Sequence, residues 1–101
     1  MSGPKIKKIG GYFFAEGKNL LKVDFPDATE IEYYVFLNCS KLVNINLPKV
    51  ESIGVGAFEN CTSLCEINLP EEYSCESSFN CCTNLNYVNL GKVRNTAEAK
   101  F

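Results

Sequence analysis

At 101 residues, 46% hydrophobic and with a net charge of -2, the chain fits one small domain with a single core and excludes a disordered tail. It has no long basic run, so a phosphate-binding surface and a nucleic-acid partner are not expected. No apolar run approaches the roughly 20 residues that cross a bilayer. The opening MSGPKIKKIGGYFFAEG has basic residues with no apolar segment behind them, so the chain as written is expected in the cytoplasm.

Residues 1–4 read as a short flexible leader. From residue 5 the sequence repeats: KIKKIGGYFFAEGKNLLKVDFP (5–26), DATEIEYYVFLNCSKLVNINLP (27–48) and KVESIGVGAFENCTSLCEINLP (49–70). A copy one residue shorter follows, EEYSCESSFNCCTNLNYVNLG (71–91), and a partial one occupies 92–101, giving about four and a half repeats of 22 residues. Self-similarity at such a period marks a solenoid, whose units stack because none can bury its apolar side alone.

Within each copy, Ile9, Ile31 and Ile53 share the first apolar column, continued by Cys75 and Thr96. The segment around it, VESIG at 50–54, predicts a short strand, with Gly10 and Gly54 easing the turn that follows. Phe14, Phe36, Phe58, Phe79 and Phe101 form the next column. Rings repeated at the strand spacing fall within the roughly 4.5–7 Å range where offset stacking is favourable, so the column reads as an inward aromatic spine and not as a ligand ladder. The stretch between Gly54 and Cys61 is too short for a full helix and reads as a turn or a single helical turn.

Cys39, Cys61 and Cys82 occupy one column, with Gly17 in the first copy. At roughly 4.8 Å spacing these suit thiols packed as small apolar groups. Cys65, Cys75 and Cys81 fall in other columns, so no regular pairing arises and reduced cysteines are expected.

Each unit closes on L-x-x-I-x-L: Leu20, Leu42, Leu64, Leu85; then Val23, Ile45, Ile67, Val88; then Phe25, Leu47, Leu69, Leu90. The alternation predicts a strand with one buried face, and stacked copies predict a parallel ladder. Pro26, Pro48, Pro70 and, in the fourth copy, Gly91 end each strand. Nothing resembles a dedicated cap, although Lys5, Lys7 and Lys8 can discourage edge pairing and RNTAEAKF can fold over the last unit. A homo-oligomer through the uncapped ends is therefore one expectation.

The unit IGVGAFENCTSLCEINLP resembles the repeat of BspA-like leucine-rich repeat proteins, I-G-x-x-A-F-x-x-C-x-x-L-x-x-I-x-L-P, at every fixed position. The likeness spans about 5–101 as one leucine-rich repeat domain. It departs at Glu32 and Val35 in the second copy, at Gly17 in the first and at Cys75 in the fourth. The resemblance implies a right-handed leucine-rich repeat solenoid used for protein binding or adhesion, often on the surfaces of bacteria or parasitic protists. It implies no catalysis and no cofactor. A cell-surface location follows if the chain is excised from a longer secreted array.

The chain has no histidine, which removes Ser–His and Cys–His nucleophile pairs and histidine-containing zinc sites. No C-x-x-C pair occurs, and Gly54-Val55-Gly56 lacks the rest of a phosphate loop. Asn38-Cys39-Ser40 and Asn60-Cys61-Thr62 spell a glycosylation acceptor, but the repeat generates that spelling anyway. No catalytic or metal-binding residue is assigned.

Binding is the favoured reading. If the Leu, Ile and Leu of L-x-x-I-x-L point inward, the residues flanking the central Ile point outward. One outward column is Lys22, Asn44, Glu66, Tyr87; the other is Asp24, Asn46, Asn68, Asn89. The first varies as a recognition surface would, whereas the second reads either as a polar ladder that keeps the face wetted or as amides that contact a partner backbone. The leading expectation is a non-catalytic module that binds a protein or peptide on this face. The alternatives are a small stand-alone inhibitor encoded by a phage or parasite and, behind it, a thiol redox or metal protein.

Overall fold

The computed structural model describes residues 5–70, 73–75 and 78–85. Among the described residues, seven short strands alternate between two parallel sheets: β1 (Lys8–Ile9), β2 (Lys22–Asp24), β3 (Glu30–Ile31), β4 (Asn44–Asn46), β5 (Ser52–Ile53), β6 (Glu66–Asn68) and β7 (Ser74–Cys75). One sheet runs β1-β3-β5-β7 and the other β2-β4-β6. Each of the first three coils therefore gives one strand to each side. The register is that of the repeat, with Ile9, Ile31, Ile53 and Cys75 paired across one sheet and Val23, Ile45 and Ile67 across the other.

The first strand of each coil turns into the spine through a corner that is not helical; the described residues contain no helix. Its hydrogen bonding explains why. Alternate amides bond locally, as in Phe13 to Gly10, Ala15 to Tyr12 and Gly17 to Phe14, at 3.0–3.3 Å. The amides between them, Tyr12, Phe14 and Glu16, donate forward to the carbonyls of Tyr33, Val35 and Leu37 in the next coil at 3.1, 2.9 and 2.7 Å. Tyr34, Phe36 and Asn38 do the same to Val55, Ala57 and Glu59, and Phe58 and Asn60 to Ser78 and Asn80. A helix would direct these amides to its own carbonyls and leave nothing for the next coil, so successive turns replace it.

Those turns require left-handed backbone at two columns. Tyr12, Tyr34 and Gly56 have φ of 61°, 52° and 65°, and Glu16, Asn38, Asn60 and Cys81 have φ of 65°, 60°, 62° and 63°. Asn tolerates this region best among the non-glycines, which accounts for its place beside the cysteine column. In the first three coils the second strand ends before its proline. Phe25 and Leu47 still donate across to Asn46 and Asn68, and Ala28 and Val50 then bond back to Phe25 and Leu47, which places Pro26 and Pro48 where a fixed φ favours a turn.

The core lies between the sheets. Ile31, Ile45, Leu42, Leu47, Leu64 and Ile53 are almost fully buried, with Phe36, Phe58 and Phe79 stacked beside them. Ring centroids lie 5.4 Å apart for Phe14–Phe36, 5.0 Å for Phe36–Phe58 and 5.3 Å for Phe58–Phe79, with planes within 10° of parallel. The spine expected from the sequence is present through Phe79. Cys39, Cys61 and Cys82 are buried behind it, and their thiols donate to the carbonyls of Phe14, Phe36 and Phe58 at 3.3, 3.2 and 2.8 Å. Thr96, Phe101, Val88, Leu90, Gly91, the segment RNTAEAKF and the leader 1–4 lie outside the described residues.

Candidate functional site

The β2-β4-β6 sheet carries the outward columns. Along its strands the central residue points in and its neighbours point out: Val23 and Ile45 are buried and Ile67 half-buried, whereas Lys22, Asp24, Glu66 and Asn68 are exposed and Asn44 and Asn46 partly so. The pairing sets Lys22, Asn44 and Glu66 side by side, and likewise Asp24, Asn46 and Asn68. Six of the eight residues singled out from the sequence thus share one face. Tyr87 and Asn89 lie outside the described residues.

The second column is a hydrogen-bonded ladder. The Asn68 amide donates to the Asn46 carbonyl oxygen, and the Asn46 amide donates to Asp24 Oδ1 at 2.7 Å. Asn46 spends one N–H and one carbonyl lone pair on its neighbours, which leaves a second N–H and a second lone pair. The ladder has a direction, since every amide donates toward the N-terminal coil and an acceptor-only carboxylate closes the row. Lys22, Asn44 and Glu66 present a cation, an amide and an anion at successive strand spacings, a pattern that can discriminate among partners.

A second ladder was not legible in the sequence. Asn60 donates to Asn38 Oδ1 at 2.8 Å and Asn38 donates to Glu16 Oε2 at 2.8 Å, along the left-handed corner column. It too ends on a carboxylate in the first coil. The asparagines of the Asn-Cys-Ser and Asn-Cys-Thr triplets are committed here, with Cys39 and Cys61 buried beside them, so the acceptor spelling has a structural origin. The available signal was an Asn in front of two of the three column cysteines, Cys39 and Cys61.

The opposite sheet offers a shallower site. A trough of about 350 Å³ crosses it, bounded by Glu30, Glu32, Tyr33, Ser52 and Val55. Lys8 partly neutralises it, with Nζ 3.1 Å from Glu32 and 3.9 Å from Glu30, and the Glu32 hydrogen bond is the main cause that holds the Lys8 ammonium above its ordinary pKa. Glu32, where the repeat has glycine, also accepts the Gly11 amide through Oε1 at 3.1 Å. Beside the trough the rings of Tyr12, Tyr33 and Tyr34 cluster, with Tyr12 stacked on Tyr34 at 5.3 Å and edge-on to Tyr33 at 5.7 Å.

Neither face assembles a reactive centre among the described residues, where no three metal-ligating side chains converge. The Cys61 thiol is pushed well above the ordinary range by the neighbouring Cys82 thiol and by burial, and burial also raises Cys39. Both are therefore held in the unreactive thiol form. Among the described residues no helix is long and apolar enough to cross a membrane.

A family model described as BspA type leucine rich repeat region matches residues 3–101, in 6 copies. The period of 22 residues read from the sequence counts four complete copies and a partial one over nearly the same span. Neither the curated proteins nor the solved structures compared contain a significant match.

Proposed function

The chain belongs to the BspA-type leucine-rich repeat family, and from that premise we propose that it is a non-catalytic module that binds a protein or peptide on the outer face of β2-β4-β6. The family commonly mediates protein–protein binding or adhesion, is typically non-enzymatic and is often found in cell-surface proteins. The observation that carries the reading is the register that sets Lys22, Asn44 and Glu66 in an outward row beside Asp24, Asn46 and Asn68. The sequence columns extend these rows to Tyr87 and Asn89. The ladder gives the face a rigid, directional set of donors and acceptors, and the varied row beside it supplies the discrimination.

The varied row is the better place to test this, because substitutions in the ladder also remove structural hydrogen bonds. Immobilised chain and the Asn44→Arg/Glu66→Arg variant are compared for retention of proteins from the native host, with thermal unfolding measured alongside. Loss of the retained partner with unfolding unchanged supports the assignment; equal retention by both removes this face from consideration.

A further inference from the structure

On the β1-β3-β5-β7 face the second coil differs from both its neighbours in two outward columns. In register across the sheet, Glu30 lies between Lys8 of β1 and Ser52 of β5. One residue beyond each strand, Glu32 stands where the first and third coils have Gly10 and Gly54. Two carboxylates of the second coil therefore rise beside a floor of Ser52 and Gly54 in the third, and the step between them is the trough of about 350 Å³.

Tyr33 borders the same trough. Its ring lies flat over Gly11, where a Cβ would come within 2.3–2.9 Å of three ring carbons, and Tyr12 meets it edge-on. The residue is still 50% exposed. It has a described coil on each side, so that exposure is lateral and owes nothing to the ends of the chain. The described lining holds two carboxylates and no cation. Lys8 serves them from the first coil, with Nζ 3.1 Å from Glu32 and 3.9 Å from Glu30, and Glu32 spends its other oxygen on the Gly11 amide. Glu30, 46% exposed, thus borders the trough with only that long contact to a cation among the described residues.

We propose that this trough receives an arginine side chain from an extended segment of a partner protein. An apolar guest would bury carboxylates without a counter-charge, which is costly, so charge complementarity selects a cation. Lys8 shows that a cation seats against this pair from the first-coil flank; on the other flank the register sets only Ser52, which leaves room for a second. The exposed ring of Tyr33 then chooses between cations. A guanidinium is planar and weakly hydrated, so it can stack on the ring while its N–H fork donates to the Glu30 carboxylate. An ammonium offers a point charge and no stacking plane. The extended form of the segment follows from the trough's shallowness, since a guest that enters by one side chain keeps its backbone above the sheet.

This inference is independent of the β2-β4-β6 reading, and its test leaves that face untouched. Backbone amide resonances of the intact chain are followed while the end-blocked pentapeptide GGRGG is added, with GGKGG and the neutral citrulline analogue in parallel. The arginine peptide is expected to shift residues 30–33 and 52–55 with a dissociation constant on the order of 1 mM, the lysine peptide to bind more weakly, and the citrulline peptide at least about tenfold more weakly. Glu30→Gln and, separately, Tyr33→Ala are each expected to weaken the arginine peptide about threefold, with resonances elsewhere in place as the sign of an intact fold. Lys8→Met, which removes the competing resident cation, is expected to strengthen it about threefold, whereas Lys18→Met is expected to leave it unchanged. No shift at about ten times that concentration, equal binding of the lysine or citrulline peptide, shifts centred on another face, or Glu30→Gln and Tyr33→Ala chains that bind as the wild type does overturns the proposal.

Discussion

Among the described members of its corner column, Cys81 is the one that takes no part in the side-chain ladder. Its φ is 63° and its side chain is exposed, whereas Asn38 and Asn60 at the same place join the corner ladder. Cys81→Asn is expected to raise stability by about 1 kcal/mol, through lower backbone strain and an amide beside the free lone pair of Asn60, read as a higher denaturant midpoint. Gly54 works in the opposite sense. A Cβ there would stand 2.7 Å from the Glu32 carbonyl carbon and 2.8 Å from the Tyr33 nitrogen, both backbone atoms that cannot turn aside. Gly54→Ala is expected to cost about 1–3 kcal/mol by the same measurement. The thiols separate as well. Mass mapping after brief alkylation of the native protein is expected to label exposed Cys81 and to spare buried Cys39 and Cys61 until the chain unfolds; early labelling of Cys61 would contradict the burial. Little of this residue-level detail was legible in the sequence. Positive φ has no single-letter signature, and Tyr12, Tyr34 and Gly56 share one backbone state with unlike side chains.

The stacked elements were more legible, because a column of identical apolar residues can only mean repeated burial at the same place. The phenylalanines were read from their spacing, and their contribution is graded by position. Phe36 is fully buried between Phe14 and Phe58, so Phe36→Ala is expected to cost about 3–5 kcal/mol in chemical denaturation, a large share of the roughly 5–15 kcal/mol that holds a domain together. Half-buried Phe14 ends the described stack and should cost less. Polar columns were only partly legible: Asp24, Asn46 and Asn68 stood out as a nearly uniform run and form one hydrogen-bonded row, whereas Glu16, Asn38 and Asn60 gave no such signal. Another polar column runs from Lys5 through Asp27 to Lys49. The Lys5 amide, at 3.1 Å, and then the Lys49 ammonium, at 3.3 Å, hold the Asp27 carboxyl below its ordinary pKa. A carboxyl depressed in the folded state contributes stability above its unfolded value, near pH 4, and that contribution is lost as pH falls through the lower folded value. Asp27→Asn is therefore expected to flatten the acid side of a stability–pH profile; an unchanged slope would show that the column contributes nothing.

At the scale of the whole molecule, the two parallel sheets followed from the period and from the alternation within L-x-x-I-x-L. The non-helical corner did not, because length alone cannot distinguish a helical turn from chained turns. What decides it is the demand of the next coil for half of the corner amides, and that demand exists only in the stacked structure. The same arrangement governs how the molecule comes apart. Deuterium uptake at Tyr34, Phe36 and Asn38 is gated by the coil that follows them, not by their own. Opening should therefore travel as a front along the axis, each detached coil unshielding the amides of its predecessor, so that exchange lifetimes are ordered by position along the stack rather than by local burial.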